Sequence, residues 1–215
     1  VAGRLAQTLD VQNRNRQELT RKIQSEADTL ALAEDADTPL LFAVHPDFNQ
    51  GVVGLAAARL VETYYLPAVV GQQGEENTRC SCRSIPEFHI TAALDQCTDL
   101  LVRHGGHAAA AGFTVMNENL SALKERLTAI ARESLAGRDL RRSLTADMDV
   151  KLRDLRFDLL SQLDALQPTG YGNPEASFIS RNLYVAEARK VGKDASHLKM
   201  KLNDGSWTMD AIGFR

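Results

Sequence analysis

In the first 36 positions the apolar residues Leu5, Leu9, Leu19, Ile23, Ala27 and Leu30 recur at mostly three- and four-residue steps. No proline interrupts them, and the spacing predicts one long helix. Its apolar stripe is thin, and the middle, Asn13-Arg14-Asn15-Arg16-Gln17, is strongly polar, so the helix is expected to connect elements and to pack only partly. The apolar run Leu40–Val44 predicts a buried strand, followed by a loop from His45 to Gly51. A helix of small residues is expected over Val52–Val61 and a second strand over Pro67–Val70. Strand, helix and strand within about 30 residues form a βαβ unit, which implies a parallel pair.

The pattern next predicts a strand over Thr78–Ser84 and a helix over Ile90–Val102, with Ala93, Leu94, Cys97 and Leu101 inward. His104-Gly105-Gly106-His107 is expected to break that helix before a strand at Gly112–Val115. Leu120, Leu123, Leu127, Ile130 and Leu135 mark another amphipathic helix, with Gly137 where a C-terminal cap belongs. Beyond a charged connection, a short helix is expected over Leu155–Leu166 and a turn cluster at Pro168–Pro174. Strands are expected over Ser177–Tyr184, Val185–Val191, His197–Leu202 and Trp207–Phe214, with Asn203-Asp204-Gly205 as a hairpin turn. The organisation read from the pattern is a linker helix over 1–37, an α/β domain over 38–137 and a β-rich domain over 138–215. The last looks cut off, because four strands with no closing segment leave an unpaired edge.

Composition narrows the picture. The 215 residues are 44% hydrophobic and 25% charged, which suits a globular core rather than a disordered chain. No stretch approaches the ~18 consecutive apolar residues of a membrane-spanning helix, and no secretory leader is visible. The chain begins with Val1 rather than Met, which suggests a fragment or a processed chain. Three cysteines, an odd number, fit a reducing compartment, so a cytoplasmic location is expected. The net charge of −3 argues against a surface coated in positive charge, while leaving room for a local basic face.

Three segments carry candidate chemistry. His104-Gly105-Gly106-His107-Ala108 combines two glycines, small neighbours and an imidazole, the parts of a phosphate cradle; a glycine turn beside a hydrogen-bonded histidine would read the same. Ser81-Cys82-Arg83-Ser84 offers hydroxyls and a guanidinium, with Ser81 and Arg83 on one face of a strand; an ordinary edge strand would read the same. Residues 181–201 hold six Lys and Arg against two Asp and Glu, with Tyr184, His197 and Trp207 nearby. Such a face suits single-stranded nucleic acid, and a solvated strand face is the bland alternative. A zinc site from Cys80, Cys82, His89 and Cys97 lacks the usual ligand spacing. No G-x-S-x-G elbow occurs, and the acidic residues are too dispersed for a two-metal hydrolytic site.

Taken in order, His45, then Gly51-Val-Val-Gly-Leu-Ala-Ala-Ala-Arg-Leu-Val, Pro67-Ala-Val-Val, Ser81-Cys-Arg-Ser-Ile and Arg103-His-Gly-Gly-His-Ala-Ala-Ala-Ala-Gly-Phe-Thr closely resemble the DHHA1 domain of the DHH phosphoesterase superfamily. Leu166-Gln-Pro-Thr-Gly-Tyr-Gly-Asn-Pro-Glu and Gly192-Lys-Asp-Ala-Ser-His-Leu-Lys-Met resemble the start of the OB-fold domain of the RecJ family of single-strand-specific 5′→3′ DNA exonucleases. The resemblance covers nearly the whole chain. It implies an α/β DHHA1 domain with a long N-terminal linker helix, followed by a β-rich partial OB fold.

It further implies a part of a longer exonuclease active in DNA repair and recombination. The catalytic DHH domain would precede residue 1 and hold Mn2+ or Mg2+, since no Asp-His-His run occurs here. This chain would carry no metal of its own and would be inactive alone. By motif, His107 and Arg83 would act at the cleaved bond, and Ser81, Arg83, Gly105, Gly106, His107 and His45 would hold the substrate phosphate. Arg189, Lys190, Lys193, His197, Lys199 and Lys201 would guide single-stranded DNA. The implied partners are single-stranded DNA, the DHH domain of the same protein and a single-strand-binding protein, with no membrane. Two alternatives stand: a DHHA1 phosphoesterase for short oligonucleotides or cyclic dinucleotides, and a non-enzymatic OB interaction module.

Overall fold

A computed structural model describes residues 2–33 and 37–214; positions 1 and 34–36 of the expected leading helix, and residue 215, lie outside the described residues. The chain forms two compact units, Val1–Arg142 and Ser143–Arg215.

In the first unit α1 (Ala2–Leu32) buries only Ile23, Ala27 and Ala31, at four-residue steps near its C-terminal end. Leu5, Leu9, Val11 and Leu30 are exposed, so Ala31 rather than Leu30 completes the packed stripe. The elements β1 (Leu41–His45), α2 (Val53–Tyr64) and β2 (Ala68–Gln73) form the βαβ unit, with β1 and β2 parallel. The remaining strands are β3 (Asn77–Arg83), β4 (Leu101–His107) and β5 (Ala110–Met116). Between β3 and β4 lies α3 (Ile90–Asp95), and α4 (Leu120–Leu135) follows β5. The five strands lie in the order β1-β2-β3-β5-β4, and every pairing beyond β1–β2 is antiparallel.

Two apolar clusters sandwich this sheet. On one side Leu41, Ala43, Ala68 and Val70 pack with Ile23 and Ala27 of α1 and Val53, Ala56, Ala57 and Leu60 of α2. On the other, Phe42, Val69, Cys80, Cys82, Phe113 and Val115 pack with Leu94 of α3 and Leu123, Leu127 and Ala131 of α4. The α2 positions follow the three-and-four spacing of a buried helical stripe, and its alanines let the helix lie close to the strands. Past α4, Gly137 takes φ +70°, a left-handed conformation suited to glycine at a helix end.

Two expectations fail here for one reason. The helix over Ile90–Val102 stops at Asp95, and the expected break at His104–His107 is strand β4. Cys97 is buried in the intervening turn and Leu101 packs at the start of β4, so core contacts imitate a helical repeat that the backbone abandons. The switch is local: His89 Nδ1 accepts from the Ala92 amide at 3.1 Å and caps α3, and Gly106, at φ +151°, lets β4 close on β5. A Cβ on Gly106 would lie 2.4 Å from Ala111 Cα.

The second unit contains β6 (Met148–Asp149), α5 (Phe157–Asp164), β7 (Phe178–Ile179), β8 (Tyr184–Val191), β9 (His197–Asn203) and β10 (Thr208–Gly213). Strands β8, β9 and β10 form an open antiparallel sheet, and β6 pairs β7 in parallel. The strand expected over Ser177–Tyr184 shrinks to Phe178–Ile179, paired with part of the charged connection. The β9–β10 hairpin has a loop of four residues: Asp204 Oδ1 accepts from the amides of Ser206 and Trp207, and Gly205 takes φ +91°. These bonds hold the Asp204 carboxyl below its usual range. Among the described residues no helix is long and apolar enough to cross a membrane.

Where α1 meets α2, Asp28 Oδ1 is buried with no hydrogen-bond partner. Burial raises the Asp28 carboxyl above its ordinary value of 3.8, and the hydrogen bond from the Tyr64 hydroxyl opposes that rise. A carboxyl raised in the folded state binds its proton more tightly there, so its ionisation costs stability as pH climbs through that raised value. Asp28→Asn is therefore expected to melt above the unsubstituted protein at pH 7, with the gap closing as pH falls toward about 4. Thermal unfolding across that range checks it, and a gap independent of pH would refute it.

Candidate nucleic-acid interface

Strand β3 sorts its side chains by alternation: Thr78, Cys80 and Cys82 are buried, while Arg79, Ser81 and Arg83 point to the other face. Burial pushes the Cys82 thiol up to about 12 and raises Cys80 as well, so neither is a nucleophile near neutral pH. All three cysteines are reduced and buried, and His89 is spent capping α3. Among the described residues no group of three His, Cys, Asp or Glu side chains converges as metal ligands.

Register across the sheet arranges the β3 side chains in rows, because directly paired residues project from the same face. Arg83 lies in one row with Ala110 and His107. Ser81 shares the next with Gly112 and Gly105, and Arg79 the third with Thr114 and Arg103. The Ser-x-Arg and Gly-Gly-His segments thus share one face. His107 and Gly105 are on that face, whereas His104 and Gly106 are on the other, where His104 Nε2 meets Asp95 Oδ1 at 2.8 Å. A trough of about 280 Å³ opens here, lined by Gln50 in the loop before α2, by Val53 at the start of α2 and by Arg79, Ser81, Arg103 and Thr114. Gly54 brings α2 close to this face: a Cβ there would lie 3.3 Å from Arg83 Nη2 and 3.6 Å from Ser81 Oγ. Arg83 Nη1 donates to the Cys82 carbonyl at 2.8 Å, which fixes one side of its guanidinium.

His45 is not brought to this place. It ends β1, on the opposite edge of the sheet from β4. Its Nδ1 accepts from the Asp47 amide at 3.2 Å, its ring lies 5.5 Å from that of Phe48, and it lines a separate hollow with Lys22, Glu26 and Asp47.

In the second unit the basic residues divide. Arg189 and Lys199 are cross-strand neighbours, as are Glu187 and Lys201. Lys199 pairs with Asp210 and Lys201 with Glu187, each at 3.7 Å, and Arg181 meets Asp149 at 2.9 Å. No carboxylate lies within ion-pair distance of Arg189, Lys190 or Lys193 among the described residues. His197 packs against Gly192, which takes φ +93°, and edge-on to Phe214 at 5.3 Å, so its ring supports the β8–β9 turn.

Comparison with known proteins matches residues 37–133 to the DHHA1 domain and residues 146–215 to the RecJ OB domain. The single-stranded-DNA-specific exonuclease RecJ of Bacillus subtilis is 31% identical over 99% of this chain. The chain belongs to the RecJ family. It spans 27% of that Bacillus relative's length. Thermus thermophilus RecJ solved in complex with Mg2+ is 28% identical and superposes with a TM-score of 0.78, covering 98% of this chain and 32% of the other. The Mn2+ complex of the same protein gives a TM-score of 0.79, covering 98% and 30%.

Of the phosphate-site residues expected from the RecJ resemblance, the fold gathers Ser81, Arg83, Gly105 and His107 on one face. It assigns Gly106 a structural reason and leaves His45 elsewhere. Arg79, Arg103 and Thr114 join the face without having been expected there. Period-two alternation from Ser81 points to Arg79, whereas a helix expected through residue 102 hides the neighbours of Arg103. The two glycines are separable by experiment. Gly106→Ala is expected to destabilise the first unit by about 1–3 kcal/mol, through steric conflict with β5. Gly105→Ala meets nothing within 4 Å and is expected to leave the melting temperature almost unchanged. Equal losses in a melting comparison would contradict this assignment.

Proposed function

We propose that this chain is the substrate-gripping, single-strand-binding part of a RecJ-type 5′→3′ exonuclease. The supporting observation is the convergence of Ser81, Arg83, Gly105 and His107 on one sheet face beside an open trough. A guanidinium, a hydroxyl and an imidazole at fixed places on a sheet suit a phosphodiester. Arg83 supplies forked N–H donors, Ser81 a rotatable O–H and His107 a ring N–H, while the bare Gly105 leaves room for close approach. Arg83 and His107 would orient the phosphate and oppose the charge that develops on it during cleavage.

No converging set of metal ligands is present among the described residues, so activation of the attacking water is not assigned to them. The Mn2+ or Mg2+ of the reaction is assigned to a DHH domain, the intramolecular partner in this reading. The Thermus relative, solved with either ion, is about three times as long as the matched region. In the second unit Arg189, Lys190 and Lys193 are the cations best placed for a nucleic-acid backbone, because Lys199 and Lys201 already face carboxylates. A single-strand-binding protein is the remaining proposed partner. The OB match over 146–215 favours long single strands over cyclic dinucleotides as substrate.

The isolated chain is expected to bind single-stranded DNA with an affinity that falls steeply with salt, and to show no nuclease activity with Mn2+. Arg83→Ala should weaken binding about tenfold or more, the scale of a charged hydrogen bond removed. Fluorescence anisotropy with labelled oligonucleotides measures this; undiminished binding by Arg83→Ala would remove it from the site. In the second unit, changing Arg189, Lys190 and Lys193 together to Glu should cost more affinity than changing Lys199 and Lys201 together. The reverse order would overturn the division drawn from the ion pairs.

A further inference from the structure

The Arg79–Thr114–Arg103 row is not used by the phosphate site just described. We infer that Arg79 and Arg103 form a second phosphate clamp on the same face, so that the trough holds consecutive backbone phosphates of an oligonucleotide rather than one terminal phosphate. The inference rests on the phosphate-holding reading of Ser81, Arg83 and His107 and extends it along the strand.

Three observations support it. The first is register. Arg79 and Arg103 lie on β3 and β4, either side of β5, and both pair with Thr114. Their backbones are about 10 Å apart, a gap that two arginine side chains can close over Thr114. The second is charge. Several arginines elsewhere in the chain meet carboxylates, as in Arg59–Glu62, Arg126–Asp99 and Arg181–Asp149. Arg79, Arg83 and Arg103 have no carboxylate partner among the described residues, although the chain carries a net charge of −3. Three unpaired guanidiniums on one face of an acidic protein repel one another unless an anion lies among them. The third is orientation. Arg103 Nε donates to Thr114 Oγ1 at 3.3 Å, which anchors the guanidinium, and its two Nη groups have no protein acceptor among the described residues.

The spacing sets the ligand. Alternate residues of β3 on one face are about 7 Å apart, comparable with one repeat of an extended sugar-phosphate chain. Arg83 with His107, Ser81 with the Gly105–Gly112 floor, and Arg79 with Arg103 therefore present three successive stations. The middle station is made of a hydroxyl and bare backbone, which leaves space for sugars. A strand lying in the trough beside α2, parallel to β3, would place three phosphates in turn, and its bases would need no contact with the floor. The clamp thus selects by length and not by sequence.

The test uses the 215-residue chain with 5′-phosphorylated oligothymidylates of one to six nucleotides at low salt. For the unsubstituted chain, affinity is expected to step up when the ligand gains its third phosphate. In the Arg79→Ala, Arg103→Ala double variant that step should disappear, with about a tenfold or greater loss for trinucleotides and longer, while mononucleotide binding stays unchanged. The slope of log affinity against log salt should become shallower by about 0.7, because one phosphate of the single strand is no longer neutralised. Arg83→Ala should weaken every length. Equal melting temperatures of the variants exclude unfolding as the cause, and Arg79→Lys, Arg103→Lys, which keeps the charge, should retain the salt slope. If the double variant binds trinucleotides as tightly as the unsubstituted chain while Arg83→Ala is impaired, the clamp is wrong and the first phosphate site stands. If no length binds, or Arg83→Ala binds every length normally, the first site fails and the clamp fails with it.

Discussion

Strand β3 holds the first unit's design together. Cys80 and Cys82 sink into the core formed with α3 and α4, and that burial fixes which way every other residue must point. Arg79, Ser81 and Arg83 are driven to the opposite face by the pleat alone. A slip of one residue would bury three polar side chains and expose the thiols, so the core contacts specify the functional register. Neighbouring strands inherit it: β5 carries Phe113 and Val115 inward and Gly112 and Thr114 outward, and β4 follows with Gly105 and His107. The chemistry of the face is therefore set by the packing of its reverse side.

Coverage of the two faces is unequal. The cluster with α1 and α2 is built on residues of β1 and β2, and α2 also packs along β3, where Gly54 lets it lie close to Ser81 and Arg83. The outer part of that face, toward β5 and β4, keeps Arg79, Arg103 and His107 exposed. Donors carried on a hydrogen-bonded sheet suit recognition of a repeating backbone, because groups already held in place lose little freedom when the ligand arrives. Their lack of acidic partners keeps the guanidiniums available, whereas Arg59, Arg126 and Arg181 are already paired with carboxylates.

The second unit shows how pairing changes a charge reading. A window over 181–201 holds a surplus of positive charge, yet the partners of Arg181 and Lys199 are Asp149 and Asp210, outside that window. Sheet register brings them back and leaves Arg189, Lys190 and Lys193 as the cations without carboxylate neighbours among the described residues. Charge counted along a chain is a statement about composition; charge felt by a ligand depends on neighbours that only strand pairing supplies.

The βαβ unit, the buried stripe of α4 and the outward pairing of Ser81 with Arg83 were legible in the sequence, because each follows from a period of two or of three to four within a few residues. The family was legible in ordered motifs for the same reason, their spacing being preserved in the linear text. The switch from helix to strand after Asp95 was not, since Cys97 and Leu101 reach the core from a turn and a strand start with a spacing that a helix would also give. Nor could spacing reveal that His107 belongs to the phosphate face while His104 and His45 do not. That distinction needs the pairing of β4 with β5 and the order of strands across the sheet, both long-range contacts that no local period encodes.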